Sequence, residues 1–441
     1  MGSKKNILLL GAGRSVGSLI QYLKPYALKN EWHLTVGDVS LSQAQEKIKG
    51  FTLSKAIVFD VFNQKLLTNE INNADVVISM LPAHLHLPVA KECVDLGKSL
   101  FTASYVSKEI QELSEKAKDK GILILMEAGL DPGIDHISAM HEIDLIKEKG
   151  GEITLFKSFT GGLVAPESDD NPWNYKFTWN PRNVVLAGQG TVKFVRNGFY
   201  KYITYHNLFK RLETVSIDGY GDFEGYANRD SLKYRELYGL ENIPTIFRGT
   251  LRKKGFCEAW DVFVQLGMTD DSYELEGVDS MTYREFINTY LVYSESKSVE
   301  AKLIDFFKLD SNSEVLSKLK WLGVLDNKPI GLQKATPAQI LQKLLETKWQ
   351  LKSSDKDMVV MQHQFEYLLN GELHKKTTSL VVKGEDADHT SMAKTVGLPL
   401  GIAVRLYLEG DIKLTGVHIP VVKELYKPIL AELEEYGVSF F

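Results

Sequence analysis

Residues 5–17, KNILLLGAGRSVG, limit most sharply what this chain can fold into. The apolar run 7–10 reads as a short buried strand, Gly11-Ala12-Gly13 as a turn, and residues 14–28 as a helix. Gly11 permits the tight strand-to-helix turn, and Gly13 lets the backbone approach a ligand without a Cβ in the way. The free N–H groups at the start of that helix then face a pyrophosphate. The spacing is G-x-G-x-x-x-G, with the third glycine at Gly17. A glycine pattern alone is weak, but after a strand and before a helix it points to a dinucleotide.

The next segments repeat the alternation. Residues 33–37 read as a second strand that ends in Asp38, where a Rossmann fold meets the adenosine ribose hydroxyls. A carboxylate there accepts from a 2′-hydroxyl and repels a 2′-phosphate. Val39-Ser40-Leu41 follows with no arginine, which favours NAD over NADP, with NADP kept as the second choice. Asp38 also suits the N-cap of a helix beginning near Leu41. Further strands are expected at 55–59, 74–81, 99–104 and 122–127, with helices at 84–96 and 107–120. The first ~130 residues are therefore expected to form a doubly wound parallel sheet that binds its ligand at the strands' carboxyl ends. Those ends carry Ser79, Met80 and Pro82, then Ala103-Ser104-Tyr105, then Leu130-Asp131-Pro132-Gly133. Asp131 also fits as the N-cap of a helix over 134–149.

From Gly151 the pattern changes. Residues 152–160 alternate like a strand, and Trp173, Tyr175, Phe177 and Trp179 recur at period two, which favours sheet packing. Arg229 and the run 248–254 place cations in an otherwise acidic protein, where a solvated face is the ordinary reading of such a run. Residues 261–346 show helical periods only. Thr336-Pro337 opens a helix with a cap and an N1 proline. Asn370-Gly371 joins two strands, 357–369 and 372–382, as a hairpin. A small-residue-rich helix is expected over 390–408.

With 441 residues the chain is too long for one ordinary core. Its net charge of −5 exerts no general pull on nucleic acid or an anionic membrane. Cys93 and Cys257 lack metal spacing and read as reduced thiols, and no run approaches the ~18 apolar residues of a membrane span. A cytoplasmic protein with a small-molecule substrate, no metal, no membrane and no nucleic-acid partner is expected.

Several blocks then occur in order: ASYVS (103–107), GLDPGIDH (129–136), GGL-x-APE (161–167), NPWNYKFTW (171–179), NRDS (228–231), RGTLR (248–252) and SMAK-x-VG-x-P-x-GIA (391–403). Together with the GAG turn they resemble the glutamate-forming saccharopine dehydrogenases, or saccharopine reductases, over most of the chain. The resemblance implies an α/β protein with an N-terminal Rossmann-type parallel sheet, a second α+β substrate domain with a mixed sheet, and a small helical insertion. It implies domains at 1–131 plus about 391–441, at 132–260 plus about 350–390, and at 261–349, and a homodimer. It implies reversible oxidation at the secondary amine of saccharopine, releasing glutamate and 2-aminoadipate 6-semialdehyde in lysine metabolism.

On matching positions, the dinucleotide would touch Gly11, Ala12, Gly13, Arg14, Ser15, Val16, Asp38, Asp60, Val61, Leu81, Ala103, Ser104, Leu130, Asp131, Pro132 and Thr178. Saccharopine would meet Ser104, Tyr105, Asp131, Arg229, Thr250, Leu251 and Arg252. The chemistry agrees. Saccharopine has three carboxylates and two amines, so guanidinium groups such as Arg229 and Arg252 suit the first, and Asp131 and Tyr105 the second. Tyr105 and Asp131 are both candidates for the base, with Lys176 and His136 ranked below them. Three features depart from the fungal pattern: Asp38 in place of a basic residue, Thr160 in place of a cysteine before the glycine pair, and one extra residue in the first loop. The alternatives are a related amine dehydrogenase, of the lysine 6-dehydrogenase or carboxynorspermidine type, and a dinucleotide sensor that does not catalyse.

Overall fold

The structure, a computed structural model, describes residues 4–441. Contacts divide the chain into two compact units, Met1–Gly151 with Leu380–Phe441, and Glu152–Ser379.

The first unit is built on strands β1 (Asn6–Leu10), β2 (His33–Asp38), β3 (Ser54–Val58), β4 (Val76–Ser79), β5 (Ser99–Phe101) and β6 (Leu123–Leu125). A seventh strand, Gly416–His418, joins them from the far end of the chain, in the order Gly416–His418, β6, β5, β4, β1, β2, β3. Every pairing is parallel. Such a sheet is covered on both faces, which is why β1 and β4 read as unbroken apolar runs: Leu8, Leu10 and Val77 lie in one buried cluster with Leu100, Ile124 and Val417.

Helix α1 (Val16–Asn30) begins two residues later than expected. Gly11, at φ +95°, turns the chain sharply, and Gly13 to Ser15 are spent in the turn, with Ser15 as N-cap. The first unit also includes α2 (His86–Leu96) and α3 (Ile134–Glu148). Helix Ser391–Glu409 packs on α1, close enough that a Cβ on Gly397 would stand 2.8 Å from the Leu19 backbone nitrogen. Helix Lys423–Glu435 packs on α3. That contact carries α3 into the first unit, so the division falls at Gly151, about one helix beyond residue 131.

The second unit holds a mixed sheet of β7 (Glu152–Val164), β8 (Val192–Arg196), β9 (Phe199–Ile203), β10 (Leu212–Ile217), β11 (Gly221–Ala227), β12 (Thr245–Lys253), β13 (Asp357–Leu369) and β14 (Glu372–Lys383). Its main path runs β10-β11-β12-β7-β13-β14, with β8 pairing β12 off this path and β9 pairing β8. β12 and β7 are parallel, while β7 and β13 are antiparallel. Asn370 and Gly371 both have positive φ, +53° and +84°, as the two-residue hairpin requires. The strand-free region after α4 (Phe256–Leu266) belongs to this same unit. Residues 173–179 are irregular rather than a strand. Trp173, Tyr175 and Phe177 are nevertheless buried core, because each packs edge-on against Trp349 at 5.1–5.4 Å.

Candidate active site

In the first unit the carboxyl ends of β1, β2 and β4 surround the glycine turn. A Cβ on Gly11 would meet the Met80 carbonyl oxygen at 2.8 Å, whereas one on Gly13 would stand in open space. Gly13 and Arg14 are exposed, and no side chain caps α1. Open space over Gly13 and an uncapped helix N-terminus fit a dinucleotide pyrophosphate. Asp38 caps no helix. Ser40 caps the following one, and the Asp38 carboxylate accepts the Ala12 and Ser40 N–H groups, each at 2.8 Å. It therefore braces the glycine turn from the end of β2. Asp60 is exposed and accepts the Phe62 N–H, Val61 is buried, and Leu81 and Ala103 are half-buried.

At the ends of β4 and β5, His86 bridges two hydroxyls. Its Nδ1 lies 2.8 Å from Ser79 Oγ and its Nε2 2.7 Å from Ser104 Oγ. The ring is 1% exposed, and burial, with His84 adding to it, holds its pKa down to about 4. The folded protein thus keeps a neutral imidazole where an unfolded chain titrates near 6.5. Stability is full above that value and falls as pH drops from about 6.5 to about 4, where the unfolded chain takes up a proton that the folded one refuses. Between pH 7 and pH 5 the wild-type chain should lose roughly 2 kcal/mol that His86→Gln does not lose. Urea unfolding of both proteins at the two pH values is the measurement; parallel losses would contradict this assignment.

Beyond β6, Leu130 and Pro132 are buried and Asp131 is half-buried. Gly133, not Asp131, is the N-cap of α3. The Tyr105 hydroxyl donates to Asp131 Oδ1 at 2.9 Å, so the two candidates for the base form one pair. His136 is buried against Glu127 at 2.8 Å.

In the second unit Arg229 is exposed in a left-handed conformation, φ +50°, and its carbonyl accepts the Lys193 N–H. Lys176 is buried between Asp170 at 2.8 Å and Asp355 at 2.6 Å, which fits a structural role. Arg252 is different. It is 4% exposed, its Nη1 donates only to the Leu251 carbonyl, and its Nε has no partner. Among the described residues no carboxylate pairs with it. Glu224, opposite Arg252 in the sheet register, instead accepts the Gly255 and Cys257 N–H groups at the start of α4. Aromatic rings take the place of an acid: Tyr175, Phe256 and Tyr226 lie 5.1, 5.4 and 5.7 Å from the guanidinium carbon. Thr250 shares this face of β12, opposite Tyr226 and Thr160. Leu251 points to the other face and is core. The Thr160, Thr178 and Tyr175 hydroxyls are also buried without partners.

Residues 7–125 match the family model for the saccharopine dehydrogenase NADP binding domain, and residues 129–438 that for the saccharopine dehydrogenase C-terminal domain. The chain belongs to the saccharopine dehydrogenase family. It is 35% identical to a saccharopine dehydrogenase [NADP(+), L-glutamate-forming] of Schizosaccharomyces pombe, over 98% of this chain and 97% of that one. It is 36% identical to the mitochondrial alpha-aminoadipic semialdehyde synthase of Rattus norvegicus, over the whole of this chain but only 48% of that protein. The chain thus spans about half the length of the synthases it matches. A solved saccharopine dehydrogenase (L-Glu forming) from Saccharomyces cerevisiae superposes with a TM-score of 0.88 at 33% identity, covering 99% of each chain. The family model and the fungal names specify NADP, where Asp38 led to an expectation of NAD.

Sequence reasoning missed His86, Glu127, Tyr175 and Tyr226. His86 and Glu127 are polar groups inside apolar stretches, and nothing in the sequence marks the partner that any of the four meets.

Proposed function

We propose that the chain is an NAD(P)-dependent, glutamate-forming saccharopine dehydrogenase. The observation that carries this reading is Arg252, a guanidinium buried without an acid against the ring of Tyr175, whose own hydroxyl has no partner. A charge is left in that state when its counter-ion arrives with the ligand. A substrate carboxylate supplies it, and the fork of the guanidinium takes that group bidentately. Arg229 serves a second carboxylate.

Bound along Gly11–Val16 and the strand ends, the dinucleotide supplies the hydride acceptor. The chain's own residues do the rest. Asp131, held by the Tyr105 hydroxyl, takes the proton of the secondary ammonium, so the nitrogen lone pair is available as the adjacent C–H bond breaks. Water then adds to the resulting C=N carbon, and the same pair moves a proton to the nitrogen as the C–N bond breaks. The products are glutamate, the semialdehyde, the reduced dinucleotide and one proton. Initial rates on saccharopine with NAD and NADP side by side test the reading, and absence of turnover with both would refute it.

We also infer a preference for NAD. The Asp38 carboxylate stands at the ribose end of β2, and no cation follows it in Val39-Ser40-Leu41 to balance a 2′-phosphate. Asp38→Ala loosens the turn for both dinucleotides, so the ratio is the readout. It should shift kcat/KM toward NADP by about 10–100-fold, the worth of one hydrogen bond to a charged group. An unchanged ratio would remove Asp38 from the ribose site.

A further inference from the structure

The proposed reaction leaves the buried acid Glu127 unused. Glu127 follows β6, is 0% exposed, and holds φ +58°, a left-handed conformation that non-glycine residues seldom adopt. Its main-chain N–H donates to the Ser104 carbonyl at 3.0 Å, and its Oε1 accepts the Val106 N–H at 3.0 Å. A single residue therefore holds the peptide groups on both sides of Tyr105. Its other oxygen, Oε2, lies 2.8 Å from His136 Nε2 on α3. Asp135, beside His136, accepts the Gly133 N–H at 2.6 Å and so joins α3 to the loop that carries Asp131.

We propose that Glu127 is the positioning residue for the Tyr105–Asp131 pair, clamping residues 104–106 and fixed in turn by His136. The left-handed backbone turns the amide and the side chain of Glu127 toward the same segment. A carboxylate suits the task because one oxygen serves the amide while the other serves the imidazole. Tyr105 reaches Asp131 through its hydroxyl, so the aim of that hydroxyl depends on how firmly the Tyr105 backbone is held. This inference rests on giving Tyr105 and Asp131 the proton-handling role.

The test compares two variants of the full chain. Glu127→Gln keeps an acceptor oxygen at the same reach, and Glu127→Asp keeps the charge but falls one methylene short. Glu127→Asp should lower kcat at least 30-fold, with KM for saccharopine and the NADH and NADPH dissociation constants within threefold of wild type. Glu127→Gln should stay within fivefold of wild type in kcat. Hydrogen exchange at the Val106 amide should quicken at least tenfold in Glu127→Asp and stay slow in Glu127→Gln. Should Glu127→Asp not fold, His136→Asn removes the support behind Oε2, and a kcat at least tenfold lower at unchanged KM is expected. Wild-type kcat in the folded Asp or Asn variant, equal losses in Asp and Gln, or unchanged Val106 exchange in Glu127→Asp would each overturn the proposal. If the wild-type chain itself does not turn saccharopine over, the function assignment falls, and Val106 exchange alone upholds or overturns the clamp.

Discussion

Replacing Arg252 by methionine should lower kcat/KM for saccharopine by about 10³-fold while leaving the fold at least as stable as before. The two effects have one cause. Taking a guanidinium out of water is costly, and in the second unit no acid repays that cost. The Tyr175, Tyr226 and Phe256 rings return part of it through their negative faces. A methionine fills a similar stem volume, leaves no charge to desolvate and packs well against rings. With substrate bound, the balance reverses, because a carboxylate desolvated opposite methionine has lost its partner. Truncating one member of a buried charge pair costs about 3–5 kcal/mol, which is the 10³-fold expected here. Lysine should not rescue, since it offers a point charge where a planar fork is needed. Steady-state kinetics and urea unfolding on the same preparation decide. A kcat/KM within tenfold of wild type removes Arg252 from the substrate site. A loss of several kcal/mol in stability would make it a structural residue instead.

The asymmetry between what could and could not be read from the sequence follows from how far each signal reaches along the chain. β1, β4 and β6 were legible because a doubly covered sheet needs whole runs of apolar residues, and the Asn370-Gly371 hairpin because two adjacent positive φ values nearly name their residues. The cap and N1 proline at Thr336-Pro337 are local in the same way. Strand Gly416–His418 was not legible. Three residues carry no period, and its pairing partner β6 lies almost three hundred positions earlier. Asp38 shows the same limit at the site. Its place at the end of β2 was evident, but its two bonds to the Ala12 and Ser40 amides depend on how the glycine turn folds back on it. Glu127 and His136 stand nine residues apart in the chain, and only the path from β6 into α3 makes them neighbours. Arg252 could be suspected as a carboxylate ligand from its residue type. That it lacks an acid could not, because Glu224 sits opposite it in register and is turned away by the N-terminus of α4.

Gly133→Ala should destabilise the first unit by about 2–6 kcal/mol, which at its upper end leaves little folded protein at 37 °C. Gly133 has φ +147°, outside the range that L side chains tolerate, and a conformation of that kind costs about 1–3 kcal/mol when a Cβ is present. A Cβ there would also stand 1.9 Å from the Gly129 carbonyl oxygen. The obstacle is backbone, and it is pinned: Gly129 N–H donates to the Pro132 carbonyl, and its own carbonyl accepts the Ile134 N–H. Relief therefore means moving the loop that holds Leu130, Asp131 and Pro132 or breaking the first turn of α3, with overpacking adding about another 1–3 kcal/mol. Gly13→Ala is the matching control, because its Cβ would meet nothing within 4 Å in the protein. That variant should unfold within about 1 kcal/mol of wild type yet bind NADH and NADPH at least tenfold more weakly, since its methyl occupies space assigned to the pyrophosphate. Urea unfolding and dinucleotide fluorescence titration on both variants separate the two roles. A stable Gly133→Ala would refute the clash, and an unimpaired Gly13→Ala would move the dinucleotide away from the glycine turn.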